Sequence, residues 1–218
     1  MAKKKTLTAE IISEAYVKYA LENQETPKSV YIFAQNNGFK ESDFYAHFAS
    51  FKAIESKFLE RILSHSIALL HKDKSFSDFD AKNKLLSLYY TLFEMMKVNR
   101  SFVLYILDKN KGLNTFKALS GFRRMFLNFV KNIGIETMDL KESHLEELKD
   151  KSIAEGTYGQ LLVTLKFWID DTSPSFEKTD VFIEKSLNAS FELINIKAFS
   201  SLIDFGKFIF KEKMNTRA

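Results

Sequence analysis

The sequence predicts an all-α protein of about nine to ten helices, and three observations lead there. Seven glycines and two prolines in 218 residues leave few places for the tight turns and bulges of a sheet-rich fold. Apolar residues recur at spacings of three and four along most of the chain, the period of a helix that buries one face. The breaks between these segments carry helix-capping residues, among them Thr8, Gly38 and Ser50.

The first helix runs from about Thr8 to Glu22. Thr8 caps it, Glu10 favours its positive end, and Ile12, Tyr16, Tyr19 and Ala20 recur at helical spacing. Pro27 disfavours helical geometry at Thr26 and suits the start of a second helix, about Lys28 to Asn36, with Val30, Phe33 and Ala34 turned inward. The run "NNG" ends that helix, Gly38 supplying a left-handed cap. A third helix spans about Glu41 to His47, anchored by Phe44 and Phe48. Ser50 caps a fourth that reaches about His71, in which Ile54, Phe58, Ile62 and His65 follow one another at spacings of three or four.

The polar stretch "KDKSFSDFDAK" then separates this part from longer amphipathic segments at about 79–98, 101–109, 113–133 and 156–171, followed after "DDTSPS" by 177–194 and 198–214. The charged region "GIETMDLKESHLEELKDKSIAEG" reads as a solvated helix or an ordered loop. No internal repeat supports a solenoid.

Composition narrows the function classes. The chain has no cysteine, hence no disulfide framework and no thiolate metal site, and a reducing cytoplasm is its expected home. No uncharged run approaches the roughly 20 residues of a membrane helix, and the basic start "MAKKKTLTAE" leads into an amphipathic helix rather than a signal segment. Phosphate-binding loops, nucleotide fingerprints, nucleophile elbows and HExxH pairs are missing, so neither catalysis nor a cofactor is expected. His144 and Glu147 share a helical spacing but lack a third ligand, so no metal site is expected either.

From Lys28 to Ile54 the sequence resembles the helix-turn-helix of TetR-type transcriptional regulators. Val30, Phe33 and Ala34 in the supporting helix, Gly38 and Phe39 in the turn, and "FYAHF" from Phe44 to Phe48 carry the resemblance, with Ser50, Ala53 and Ile54 leading into helix four. The resemblance implies that residues 1–50 are a three-helix DNA-binding domain and residues 51–218 a helical domain for effector binding and dimerisation. The stretch "LLVTLKFWIDDTSPSFEKTDVFIEKSLNASFELI" looks like that family's pair of dimer-forming helices. A homodimer on double-stranded operator DNA, controlled by a small apolar effector and not inserted in a membrane, is the expected arrangement.

Carried over residue by residue, the resemblance places Lys28, Ser29, Lys40, Glu41, Ser42, Tyr45, His47 and Lys52 at or near DNA, with Asp43 beside them. Tyr89, Phe93, Phe102, Tyr105, Phe126 and Trp168 are candidates for the effector pocket, because such pockets are lined mainly by aromatic and aliphatic side chains. Departures from the family pattern are also plain. Lys40 and Asp43 replace small hydroxyl residues, and Phe51 stands where a lysine near the DNA backbone is usual. Residues 6–50 hold three lysines (Lys18, Lys28, Lys40) against six acids (Glu10, Glu14, Glu22, Glu25, Glu41, Asp43), a net charge of minus three. That balance keeps a rival open, a protein of the same fold that binds a lipid, an isoprenoid or a partner enzyme instead of DNA. The fold-sharing mitochondrial accessory protein of ubiquinone synthesis is similar in this respect.

Overall fold

Backbone hydrogen bonding closes helices and no strand among the described residues, as the scarcity of turn residues implies. The computed structural model describes residues 7–109, 118–135 and 143–194, the side chains of 143–149 and 194 excepted. Nine α-helices form over that range: α1 (Ala9–Asn23), α2 (Val30–Asn36), α3 (Glu41–Tyr45), α4 (Phe51–Leu70), α5 (Ala81–Val98), α6 (Arg100–Lys109), α7 (Ser120–Ile133), α8 (Ser143–Asp170) and α9 (Glu177–Ile194). Short 3-10 turns occupy Lys74–Asp78 and Pro174–Phe176.

Most boundaries follow the caps. The Thr8 hydroxyl accepts the Ile11 amide at 3.4 Å, and Ser50 accepts that of Ala53 at 3.2 Å. Helix α2 starts at Val30 instead of Lys28, because the Ser29 hydroxyl accepts the Ile32 amide at 3.2 Å and thereby makes Ser29 the cap. Helix α3 ends at Tyr45, two residues early, where the amides of His47 and Phe48 both turn back to the Phe44 carbonyl. The charged stretch before Gly156 proves helical from Ser143 onward, adding turns to the helix expected at 156–171. Along α4, Ile54, Leu59, Ile62, Leu63 and Ser66 are buried, and His65 is exposed. The segment expected at 198–214 and the start of that expected at 113–133 lie outside the described residues.

The chain divides into two compact units, residues 1–68 with 92–125 and residues 69–91 with 126–218. In the first, Phe33 of α2 is an aromatic hub. Its ring meets Tyr16, Tyr19, Phe39, Phe44 and Phe51 edge-on at centroid distances of 5.2 to 6.4 Å, an arrangement that rings prefer over face-to-face stacking. Tyr16 stacks on Phe51 at 5.0 Å. Phe51, the departure from a surface lysine, is therefore a core residue.

A polar cluster sits beside this hub. Glu55 of α4 is fully buried, and its Oε1 accepts from the Tyr16 hydroxyl of α1 at 2.5 Å and from Lys109 Nζ of α6 at 2.7 Å. Lys109 Nζ also donates to the Tyr105 hydroxyl at 3.3 Å, and its side chain keeps 27% exposure. Burial first, and then the Glu55 carboxylate, push the Tyr16 phenol far up from its ordinary pKa, so it acts as a neutral donor. Nearby in the same unit, α4 and α7 approach so closely at Gly121 that an added Cβ would run into the Glu60 carboxylate.

The second unit is built on the α8–α9 hairpin. Asp171, at the end of α8, accepts from the Ser173 amide at 2.8 Å and hydroxyl at 2.7 Å, and from the Thr179 amide at 2.9 Å and hydroxyl at 2.7 Å. These bonds fix the turn that contains Ser175 and Phe176, both at positive φ. Tyr89 of α5 is fully buried and donates to the Gln160 side-chain oxygen, while Gln160 Nε2 donates to Ser186 Oγ at 2.7 Å. That chain of bonds ties α5 to α8 and α8 to α9.

Two stability measurements follow from these clusters. Removing one partner of a buried ion pair leaves an uncompensated charge, so Lys109→Met should cost about 3 kcal/mol in urea unfolding. The double variant Glu55→Met/Lys109→Met should recover most of that loss. At Asp171, burial raises the pKa, but the hydroxyl and amide donors outweigh it and hold the carboxyl at about 2, below 3.8. A depressed carboxyl stabilises the fold above its unfolded pKa and stops doing so as pH falls from about 4 to about 2. Asp171→Asn should therefore cost about 2 to 3 kcal/mol at pH 7, a deficit that narrows across that acid window in unfolding curves of the two proteins.

Candidate nucleic-acid interface

The turn between α2 and α3 is dictated by one glycine. With Gly38 at φ 74°, the Gly38 amide reaches the Gln35 carbonyl and the Phe39 amide the Ala34 carbonyl, both at 3.1 Å. This is the Schellman arrangement, and its usual apolar contact is present as the Phe33–Phe39 pair at 5.8 Å. A residue with a Cβ would be strained at that φ, although open space surrounds the position.

Once the chain has turned, Phe44 locks the short third helix in place. It is fully buried and meets Phe33, Phe48 and Phe51 at 5.2 to 6.2 Å. Five residues make barely more than one helical turn, too short to be stable alone, so α3 is held by this anchor and by its cap. The cap is Asp43, whose Oδ2 accepts the Lys40 amide at 3.0 Å. Asp43, a departure from the family pattern, thus closes the first turn of its own helix.

With Phe44 inward, the opposite face is presented to solvent. Ser42, Tyr45, Ala46 and His47 are exposed, Tyr45 at 53%, and its ring leans edge-on against Phe44 at 5.6 Å. Lys28, Lys40 and Lys52 are exposed, while Ser29 and Glu41 are half-buried. Ser29 is the cap of α2, so its hydroxyl is engaged with the Ile32 amide. Tyr31 and Ile32, at 53% and 46% exposure, add apolar surface on α2. Sequence reasoning passed over these two, although both fall outside the inward set Val30, Phe33 and Ala34. Glu10 lies within electrostatic reach of His47 and Arg61; the backbone amide at the start of α1 first, and then the Thr8 hydroxyl, hold its carboxyl below the usual range.

The six aromatic residues considered for an effector pocket are all buried, and they fall in different units. Phe93, Phe102 and Tyr105 belong to the first, where Phe102 stacks on Tyr105 at 5.8 Å. Tyr89, Phe126 and Trp168 belong to the second, where Phe126 meets Tyr89 at 6.2 Å and Tyr158 at 6.0 Å. A separate open groove of about 670 Å³ runs along the α8–α9 hairpin, lined by Phe167, Val181 and Phe182 together with Glu177, Lys178, Lys185 and Ser186. Phe167 and Phe182 stack there at 4.4 Å. Among the described residues, no group of three or more His, Asp or Glu side chains is placed to hold a metal ion, and no helix is long and apolar enough to cross a membrane.

Comparison with known proteins agrees with this geometry. Residues 84–209, more than half of the chain, match the tetracyclin repressor-like C-terminal domain. A protein from Shewanella sp. PV-4 assigned to the tetR family of transcription regulators has the same fold, with a TM-score of 0.58 at 12% identity over 86% of this chain and 98% of that one. No curated protein matches by sequence. With a C-terminal match across α5 to α9 and an N-terminal helix-turn-helix built on Gly38 and Phe44, the chain belongs to the TetR family.

Proposed function

We propose that the protein is a cytoplasmic transcriptional repressor that binds operator DNA as a homodimer and releases it when a small apolar effector enters the helical body. In this reading residues 1–50 read DNA, and residues 51–218 dimerise and take up the effector. The observation that carries it is the exposed outer face of α3 and of the turn after it, with Ser42, Tyr45 and His47 exposed and Phe44 fully buried. Lys28, Lys40 and Lys52 are exposed and supply cations for phosphates.

The dimer is supported by apolar surface on the hairpin. Val163 and Val181 are 59% and 50% exposed, next to the stacked Phe167–Phe182 pair. Two copies meeting there would bury these groups, and a two-fold operator would require their recognition helices about 34 to 36 Å apart, one DNA turn. Effector control is supported by the Glu55 cluster, which joins α6 to both α1 and α4 within the first unit. A ligand that shifts α6 would strain those bonds unless α1 and α4 followed. Each unit supplies apolar surface on which such a ligand would act, Phe93, Phe102 and Tyr105 in the first and Tyr89, Phe126 and Trp168 in the second.

A specific observation favours a second reading. The net charge of minus three over residues 6–50 and the burial of Phe51 where a backbone-facing lysine is usual both weaken phosphate attraction. A family member that binds a lipid, an isoprenoid or a partner enzyme without DNA would suit that balance. Native mass spectrometry discriminates: copurified lipid, together with no retardation of any DNA, would favour it.

Gel shifts against the DNA upstream of the protein's own gene test the leading reading. Retardation should weaken steeply with salt, and Lys40→Ala or Lys52→Ala should each reduce the salt slope by about one. Absence of retardation even at low salt would overturn operator binding. Val181→Glu should sediment as a monomer and bind the paired site at least about tenfold more weakly, since only the coupled half-sites give full affinity. A dimeric Val181→Glu would exclude the hairpin as the interface.

A further inference from the structure

We infer that Glu41 is a specificity-determining residue that accepts a hydrogen bond from the amino group of a cytosine, one in each half of a two-fold operator. The inference rests on the operator-binding reading above and deepens it.

Glu41 is the first residue of α3, and base edges are reached mainly by the N-terminal residues of a recognition helix. From Phe39 to Ser50 the chain has no arginine, asparagine or glutamine, the residues that pair bidentately with guanine or adenine. Within that stretch Lys40, at the N-cap, is the single ammonium group, and Ser42, Tyr45 and His47 are among its other exposed donors.

Two carboxylates remain to be placed. Asp43 is engaged, its Oδ2 closing the first turn on the Lys40 amide at 3.0 Å. For the Glu41 carboxylate, by contrast, no hydrogen bond or ion pair is formed among the described residues, and Glu41 is half-buried next to exposed Ser42. An ionised carboxylate only accepts hydrogen bonds. The major groove offers two kinds of donor, the amino groups of cytosine and of adenine. Adenine sets its N7 acceptor beside its amino group, which repels a carboxylate and suits a carboxamide. Cytosine is the base that fits.

Glu41 also lies in the first turn of a helix, where any carboxylate is favoured by the helix dipole. The two roles separate experimentally. Full-length protein is presented with duplex DNA carrying randomised half-sites, and the bound fraction is sequenced. The wild type should enrich a palindrome with cytosine at one position of each half. Glu41→Gln should change that position alone to adenine, and Glu41→Ala should lose the preference there, each by at least about fivefold in relative affinity.

If Glu41→Gln binds every sequence more tightly with the preferences unchanged, the carboxylate only repels phosphates, and the inference fails while operator binding stands. If the wild type enriches no sequence and retards no DNA at low salt, operator binding itself fails and the inference falls with it.

Discussion

A carboxylate without access to water has to be matched, and matching Glu55 organises the first unit. Moving an ion out of water costs several kcal/mol even after relaxation, so burial of Glu55 is tolerable only with the Lys109 ammonium and the Tyr16 hydroxyl within hydrogen-bond distance. Those partners come from α6 and α1, while Glu55 is on α4. Three helices far apart in sequence are thereby held in one register. Aromatic packing alone would be more permissive, because rings can slide against one another at little cost, whereas a buried ion pair loses its compensation when its partners separate. Its geometric demand matters more than its net contribution to stability.

The same unit shows how a recognition helix of five residues is kept in place. Phe44 plugs the hub around Phe33, Gly38 permits the turn, and Asp43 caps the helix from its own third position. The acidity of this region consequently has two meanings. Asp43 is structural, its charge engaged with a backbone amide at the helix start. Glu41 has no such engagement among the described residues, which is why it invites a role in recognition. The negative balance of residues 6–50 is not removed by these roles, and Lys28, Lys40 and Lys52 face it with exposed positive charge.

In the second unit, hydrogen bonding at Asp171 performs a comparable task. Four donors converge on one carboxylate at the α8–α9 turn, which holds Ser175 and Phe176 in a left-handed conformation that side-chain-bearing residues seldom adopt. The turn sets the angle of the hairpin, and the hairpin in turn presents the stacked Phe167–Phe182 pair beside exposed Val163 and Val181. Apolar surface of this kind on an outer face is the usual mark of an interaction site.

Local chemistry made the helical class and most element ends legible in the sequence. Thr8, Ser50 and Gly38 act through atoms within a few residues of themselves, so caps and turn could be read directly, and α9 was expected over the residues it occupies. The start of α2 was misplaced because Pro27 and Ser29 offered competing signals, and the Ser29 hydroxyl prevailed. The inward positions of α1 to α3 were likewise visible as helical spacing. Hidden from the sequence was every relation that depends on distant partners. Nothing near Glu55 announces that the Lys109 ammonium and the Tyr16 hydroxyl will satisfy it, and nothing near Phe51 announces a stack on Tyr16. Periodicity specifies which face of a helix turns inward. Only the packed chain decides what that face meets, because the energy of a buried charge or ring depends on neighbours brought together by the whole fold.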